Sequence, residues 1–115
     1  MNQHKNIQVY LNDILESIEA IERHTADMSF DEFADSVVTQ DAVFRRLEII
    51  GEAASNVQDA VHDEYPEVPW RKIIGMRNKL IHEYSSISLE MVWDVIGNNL
   101  QPLKKEVEKI KIDKE

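Results

Sequence analysis

The chain is predicted to be all-α, an antiparallel four-helix bundle. Apolar residues recur at spacings of three and four along most of its 115 residues, no segment shows strand-like alternation or a hairpin turn, and short connections separate the periodic stretches. With 43% hydrophobic and 30% charged residues the composition is that of a folded chain, and the length fits one domain over residues 1–115.

The first helix is expected from about Gln3 to His24. Ile7, Tyr10, Leu11, Ile14, Ile18 and Ile21 form its apolar face, and Asp13, Glu16, Glu19 and Glu22 lie opposite. The pattern is lost after Thr25. Ser29 ahead of Phe30-Asp31-Glu32-Phe33 reads as an N-cap with an acidic first turn, so a short extra helical turn is expected there, its phenylalanines plugging one end of the core. A second long helix begins at Thr39 or Gln40, and its stripe of Val43, Leu47, Ile50, Ala54, Val57 and Val61 steps in strict heptads. Phe44 and Ile49 fall off that stripe, which means either a second contact surface, such as a subunit interface, or a broader core face. Gly51 costs about 1 kcal/mol relative to alanine inside a helix. Close approach of another backbone would explain it, with Gly75 as the expected counterpart.

Pro66 and Pro69 end that helix, and Pro69 suits the first position of the next. Trp70, Ile73, Ile74, Met76, Leu80 and Ile81 supply the buried side of this third helix, which is expected to fray near Tyr84. Ser88 and Glu90 open the fourth, striped by Leu89, Val92, Ile96, Leu100, Leu103, Val107 and Ile110 and kinked or split near Pro102.

Several classes are excluded or disfavoured. There are no cysteines, hence no disulfide scaffold and no thiolate zinc site. Met1 to Lys5 leads into an amphipathic pattern and not an apolar leader, and no apolar run approaches a membrane span, so a cytoplasmic protein with no membrane attachment is expected. The net charge of −9 argues against broad, charge-driven nucleic-acid binding, while leaving room for a narrow basic groove or a basic partner. No paired Glu-x-x-His elements of a di-iron bundle occur; Asp59-x-x-His62 is a lone approximation. His4, His24 and His62 read as solvated helix residues, and neither a metal nor a cofactor is expected.

The chemistry concentrates at Gly75-Met76-Arg77-Asn78-Lys79-Leu80-Ile81-His82-Glu83-Tyr84. From Trp70 to His82 there are four basic residues, Arg71, Lys72, Arg77 and Lys79, and no carboxylate, whereas residues 1 to 69 carry 15 acidic side chains against 4 basic. An imidazole that titrates near neutrality can take the proton of an RNA 2′-hydroxyl, and a guanidinium offers a planar fork to two phosphate oxygens. Arg77 and Tyr84, seven apart, share a face; His82 lies about 140° round an ideal helix from Arg77. The three meet only if the helix end loosens or a second copy completes the site. Spacing alone does not separate such a site from surface and packing residues. Glu52 is likewise either a clamp for the Arg77 guanidinium or a solvated helix carboxylate.

Arg77-Asn78-Lys79-Leu80-Ile81-His82-Glu83-Tyr84 matches the Arg-x4-His-x-Tyr motif of HEPN domains. Gly51-Glu52-Ala53-Ala54, Pro66, Pro69-Trp70, Ile74-Gly75-Met76-Arg77-Asn78 and Val92-Trp93 follow in order, so the chain resembles the HepT toxin branch from about Ile7 to Leu103. The resemblance implies a homodimeric helical bundle in which two motifs face one cleft. It implies a metal-independent endoribonuclease, the toxin of a type VII toxin–antitoxin pair, cleaving RNA, with tRNA a candidate. Arg77 and His82 would be the catalytic pair, Asn78 would support the site, and Lys79, Arg71 and Lys72 would contact RNA. The implied partner is a minimal nucleotidyltransferase antitoxin of the MntA type that transfers AMP to Tyr84. The alternatives are a non-catalytic HEPN module that binds nucleotide or accompanies a nucleotidyltransferase, and a purely structural dimeric bundle.

Overall fold

The structure, a computed structural model, describes residues 6–115; the expected helix start at Gln3, and His4, lie outside the described residues. Seven α-helices follow in order: α1 (Ile7–Thr25), α2 (Phe30–Asp35), α3 (Val37–Asn56), α4 (Asp59–Glu64), α5 (Trp70–His82), α6 (Leu89–Asn98) and α7 (Leu100–Asp113), with a single 3-10 turn at Tyr84–Ser86. No helix among the described residues is long and apolar enough to cross a membrane.

Each boundary has a local cause. Asn6 caps α1 by accepting from the Gln8 amide, and the helix ends where Asp27 takes a left-handed conformation at φ 61°. Ser29 and Glu32 close a reciprocal capping box on α2. Phe33 is fully buried and stacks on Trp93 at 5.1 Å, with Phe30 edge-on to the same indole at 6.3 Å, so the expected plug is present. Ser36 caps α3, which therefore starts at Val37, two residues before the earliest expected position, and Gln40 ties it to the Phe33 and Ala34 carbonyls.

Four expectations need correction. The second long helix does not run on to Val61: it stops at Asn56, and Val57 is extended. Val57 and Val61 are nonetheless buried, because α4 folds back onto the same core, so a heptad spacing continues across a break. His62 is packed and not solvated. Its Nε2 lies 3.0 Å from the Ala54 carbonyl and its ring stacks on Trp70 at 4.2 Å, a consequence of that same fold-back. Gly75 is not the counterpart of Gly51. A Cβ on Gly51 would lie 2.2 Å from Arg77 Cβ and 3.1 Å from the Ile73 carbonyl oxygen, whereas a Cβ on Gly75 meets nothing within 4 Å. The close approach exists, but α5 presents Ile73 and Arg77 to it. Pro69, for its part, caps α5 and Trp70 is the first helical residue.

Pro102 splits the fourth helix at Asn99, as expected. The proline ring excludes the carbonyl four residues back, and the break falls beside it. α7 runs antiparallel to α1: Gln8 donates to the Lys111 carbonyl at one end, and Lys104 pairs with Glu22 at the other. α5 runs antiparallel to α3, since Tyr84 reaches Asp41 and Arg77 reaches Glu52. One continuous core of Leu11, Ile14, Ile18, Val43, Leu47, Ile50, Leu80, Val92, Leu103 and Val107 joins all four long segments.

At one end of the bundle Tyr65, only 6% exposed, donates to Asp113 Oδ2 at 2.6 Å. That hydrogen bond, burial and the nearby carboxylates push its phenol up to about 12. Because the folded value exceeds the unfolded one, this contribution to stability is complete below about pH 10 and is lost as pH rises towards 12. Asp113→Asn is expected to flatten the fall in urea midpoint across that alkaline window while leaving its slope near neutrality unchanged.

Gly51→Ala forces α3 and α5 apart and is expected to cost about 1–3 kcal/mol. Gly75→Ala introduces no clash within the chain and should gain up to about 1 kcal/mol from helix propensity. Chemical denaturation of the two variants checks this, and equal effects would refute the assigned helix contact.

Candidate functional site

α5 is held by Trp70, Met76 and Leu80, which are buried, and by Ile73 and Ile74, which are partly so. With these facing inward, Arg77 falls on the edge of α5 that meets α3. There Gly51 lets the helices close, and the next residue, Glu52, reaches the guanidinium. Arg77 Nη2 donates to Glu52 Oε2 at 2.7 Å, and Nη1 donates to Asn78 Oδ1 at 2.9 Å. Arg77 Nε is buried without an acceptor among the described residues. A guanidinium fixed at both terminal nitrogens has one orientation. It keeps further N–H groups on Nη1 and Nη2 for a phosphate.

Beside Arg77 opens a concavity of about 430 Å³ between α1, α3 and α5. Ile49 and Ile81 form apolar parts of its wall, while Asp13, Glu48 and Glu52 set three carboxylates against the two guanidiniums of Arg45 and Arg77. Ile81 is 45% exposed. Of the two residues off the heptad stripe, Phe44 is buried in the core and Ile49 faces this opening.

The basic stripe lies elsewhere. Arg71, Lys72 and Lys79 are exposed on α5 outside the lining of this concavity, and Lys72 Nζ reaches Asn99 Oδ1 at 3.3 Å. His82, the last residue of α5, is exposed, and its imidazole makes no hydrogen bond among the described residues. It stands four residues after Asn78, one turn along the same exposed face. One copy of the chain therefore places Arg77, Glu52 and Asn78 together, with His82 one helical turn beyond Asn78. The helix keeps its geometry through His82, so the separation of about 140° from Arg77 persists.

Tyr84 begins the 3-10 turn after α5 and comes back to α3. Its hydroxyl donates to Asp41 Oδ1 at 3.0 Å, and its ring meets Phe44 edge-on at 5.6 Å. The hydrogen bond to Asp41, partial desolvation and the carboxylate charge raise its phenol above the ordinary tyrosine value. Yet Tyr84 is 54% exposed. Sequence reading gave Asp41 no role, because it lies 43 residues from Tyr84 and sits in an unremarkable acidic helix start. The only signal was Phe44, apolar but off the stripe.

With this geometry in place, the comparisons define the class. A family model described as "Ribonuclease HepT-like" matches residues 14–110, and the chain belongs to that family. It is 41% identical over 102 residues to a Thermococcus cleftensis protein named "Probable ribonuclease HepT", covering 89% of this chain and 93% of that one. It is 43% identical over 106 residues to a Methanocaldococcus jannaschii protein named "Putative RNase MJ0127", covering 92% and 88%. A relative from Caldanaerobacter subterraneus, "Putative RNase TTE0752", is 37% identical over 106 residues, covering 92% and 95%. No solved structure matches.

The Glu52 side chain is 55% exposed and that of Arg77 29%, so their ion pair contributes little to stability. Glu52→Ala is expected to shift the unfolding free energy by less than about 1 kcal/mol. Its effect should fall on Arg77 instead, as increased mobility of the guanidinium NMR signals.

Proposed function

We propose that this protein is a metal-independent endoribonuclease that works as a homodimer in the cytoplasm. Arg77 and His82 perform the chemistry, Asn78 and Glu52 hold Arg77, and Lys79, Arg71 and Lys72 contact RNA. The observation that carries the reading is the clamped Arg77 guanidinium, oriented from two sides at the mouth of an open groove in a chain of the HepT-like ribonuclease family. A side chain fixed in this way meets a developing phosphorane charge without reorganising.

In the reaction, the RNA 2′-hydroxyl gives its proton to His82 and the 2′-oxygen attacks phosphorus. The 5′-oxygen departs with a proton returned by the imidazolium or by water, and a 2′,3′-cyclic phosphate remains, while Arg77 steadies the non-bridging oxygens. Since Arg77 and His82 leave α5 about 140° apart, a two-fold pair that brings a second α5 to the same cleft would complete the site. The partly exposed Ile49 and Ile81 beside Arg77 suit burial in such a contact. Tyr84, exposed at the end of the same helix, is the acceptor of AMP from a minimal nucleotidyltransferase antitoxin. An added phosphodiester there brings bulk and negative charge to a place that RNA phosphate must approach.

Arg77→Ala and His82→Ala are each expected to reduce RNA cleavage by roughly 10²–10⁴-fold in a folded dimer. Activity should persist in EDTA. A requirement for divalent metal, or full activity in either variant, would remove the nuclease mechanism and leave the binding-module reading.

A further inference from the structure

Two of the three tyrosines donate a hydrogen bond to an aspartate, and the two pairs differ in access. Tyr65 is 6% exposed and its bond to Asp113 closes one end of the bundle. Tyr84 is 54% exposed, and its bond to Asp41 bridges the turn after α5 to the first half of α3. An exposed phenol–carboxylate bond adds little to stability, because water competes for both partners. What it does fix is the direction of the hydroxyl. Phe44 meets the ring edge-on at 5.6 Å, and Asp41 takes the phenolic hydrogen at 3.0 Å. With the hydrogen directed at Asp41, the oxygen lone pairs remain for an incoming electrophile.

We propose that Asp41 is the proton acceptor that makes Tyr84 Oη a nucleophile towards phosphorus. The inference rests on the reading of Tyr84 as the acceptor of a nucleotidyl group and adds the residue that enables the transfer. The phenolic oxygen attacks the α-phosphorus of a nucleoside triphosphate and the new Oη–P bond forms. The bond to the bridging oxygen breaks, pyrophosphate leaves, and the phenolic proton passes to Asp41. In the resting state the same carboxylate keeps the phenol protonated, which makes the proton transfer part of the bond-forming step and restrains Tyr84 from adventitious reaction. After transfer the hydroxyl hydrogen is gone and a phosphodiester anion stands beside the carboxylate. Once Asp41 releases the proton to solvent, the product has lost its hold on α3, and like charges drive it outward.

The test uses a fluorophosphonate on the purified full chain. This probe needs no partner: Tyr84 Oη displaces fluoride at phosphorus and Asp41 receives the proton. Mass spectrometry of peptides is expected to find the label on Tyr84 and not on Tyr65. Asp41→Asn, which keeps the size and an acceptor oxygen, should slow labelling by about 10²-fold with unchanged helical content. Placing 3-fluorotyrosine at position 84 in the Asp41→Asn chain should restore much of the rate, because a more acidic phenol needs less help from a base. In the chain that keeps Asp41 the same replacement should change the rate far less, whereas a merely structural Asp41 gives an equal fluorine effect in both chains. Equal labelling of wild type and Asp41→Asn, or no label on Tyr84 in wild type, overturns the proposal.

Co-expression with a minimal nucleotidyltransferase separates the two readings. An AMP adduct on wild type that is absent from Tyr84→Phe supports the acceptor assignment, and Asp41→Asn should then slow its appearance. If no adduct forms while fluorophosphonate labelling depends on Asp41, the nucleotidylation reading fails and the proton acceptor stands.

Discussion

The arrangement depends on how closely α3 and α5 approach at Gly51. Without a side chain there, Arg77 Cβ and the Ile73 carbonyl lie where any other residue would place its own Cβ. Close packing of this kind is hard to relax, because both partners are helical backbone or the first carbons of a side chain. It sets the distance between Glu52 and Arg77, and with it the orientation of the guanidinium. One residue of sequence joins the two roles: Gly51 admits the helix and Glu52 holds its arginine.

From that contact α3 acts as the frame for everything polar at this end of α5. Glu52 holds Arg77 from one turn of α3, and Asp41 and Phe44 hold Tyr84 from its beginning. Two of the three motif side chains are thereby tied to α3, while His82 faces away from it. That division follows from helix geometry. Positions seven apart return to the same side and positions five apart do not. The motif therefore spreads over two sides of α5, with the arginine and tyrosine on the side of α3 and the histidine on the exposed side. The concavity beside Arg77 carries more carboxylates than guanidiniums, so the basic surface of α5 and the opening beside Arg77 are separate features of one copy.

Much of the fold was legible because burial and helix periodicity coincide. The stripes of α1, α3, α5, α6 and α7 turn inward as read except at Ile81, which was assigned to the buried side of α5 and is 45% exposed; Ser29 and Ser88 cap the helices that follow them, and Pro102 splits the last segment. Two of the failures share one cause. The heptad spacing from Val43 to Val61 spans the break at Val57, since two short helices that fold onto one core repeat the spacing of a single long one. His62 looked solvated for the same reason: its burial comes from α4 folding back on Trp70, and the local pattern holds no record of that.

By itself the sequence determined the helical class, the faces turned inward, the charge concentrated on α5 and the ordered motifs that mark a HepT-like ribonuclease. These are properties of single helices or of residues close in the chain. Only the tertiary structure decided which edge of α5 meets Gly51, that Gly75 stands open, that Glu52 and Asn78 clamp Arg77, and that Asp41 takes the hydrogen of Tyr84. Except for the neighbouring Asn78, these contacts join residues 25 to 43 positions apart, and their angles are fixed by how two helices rotate against each other. Periodicity specifies which face of a helix is buried; the rotation comes from side-chain packing across the interface, which no single helix encodes.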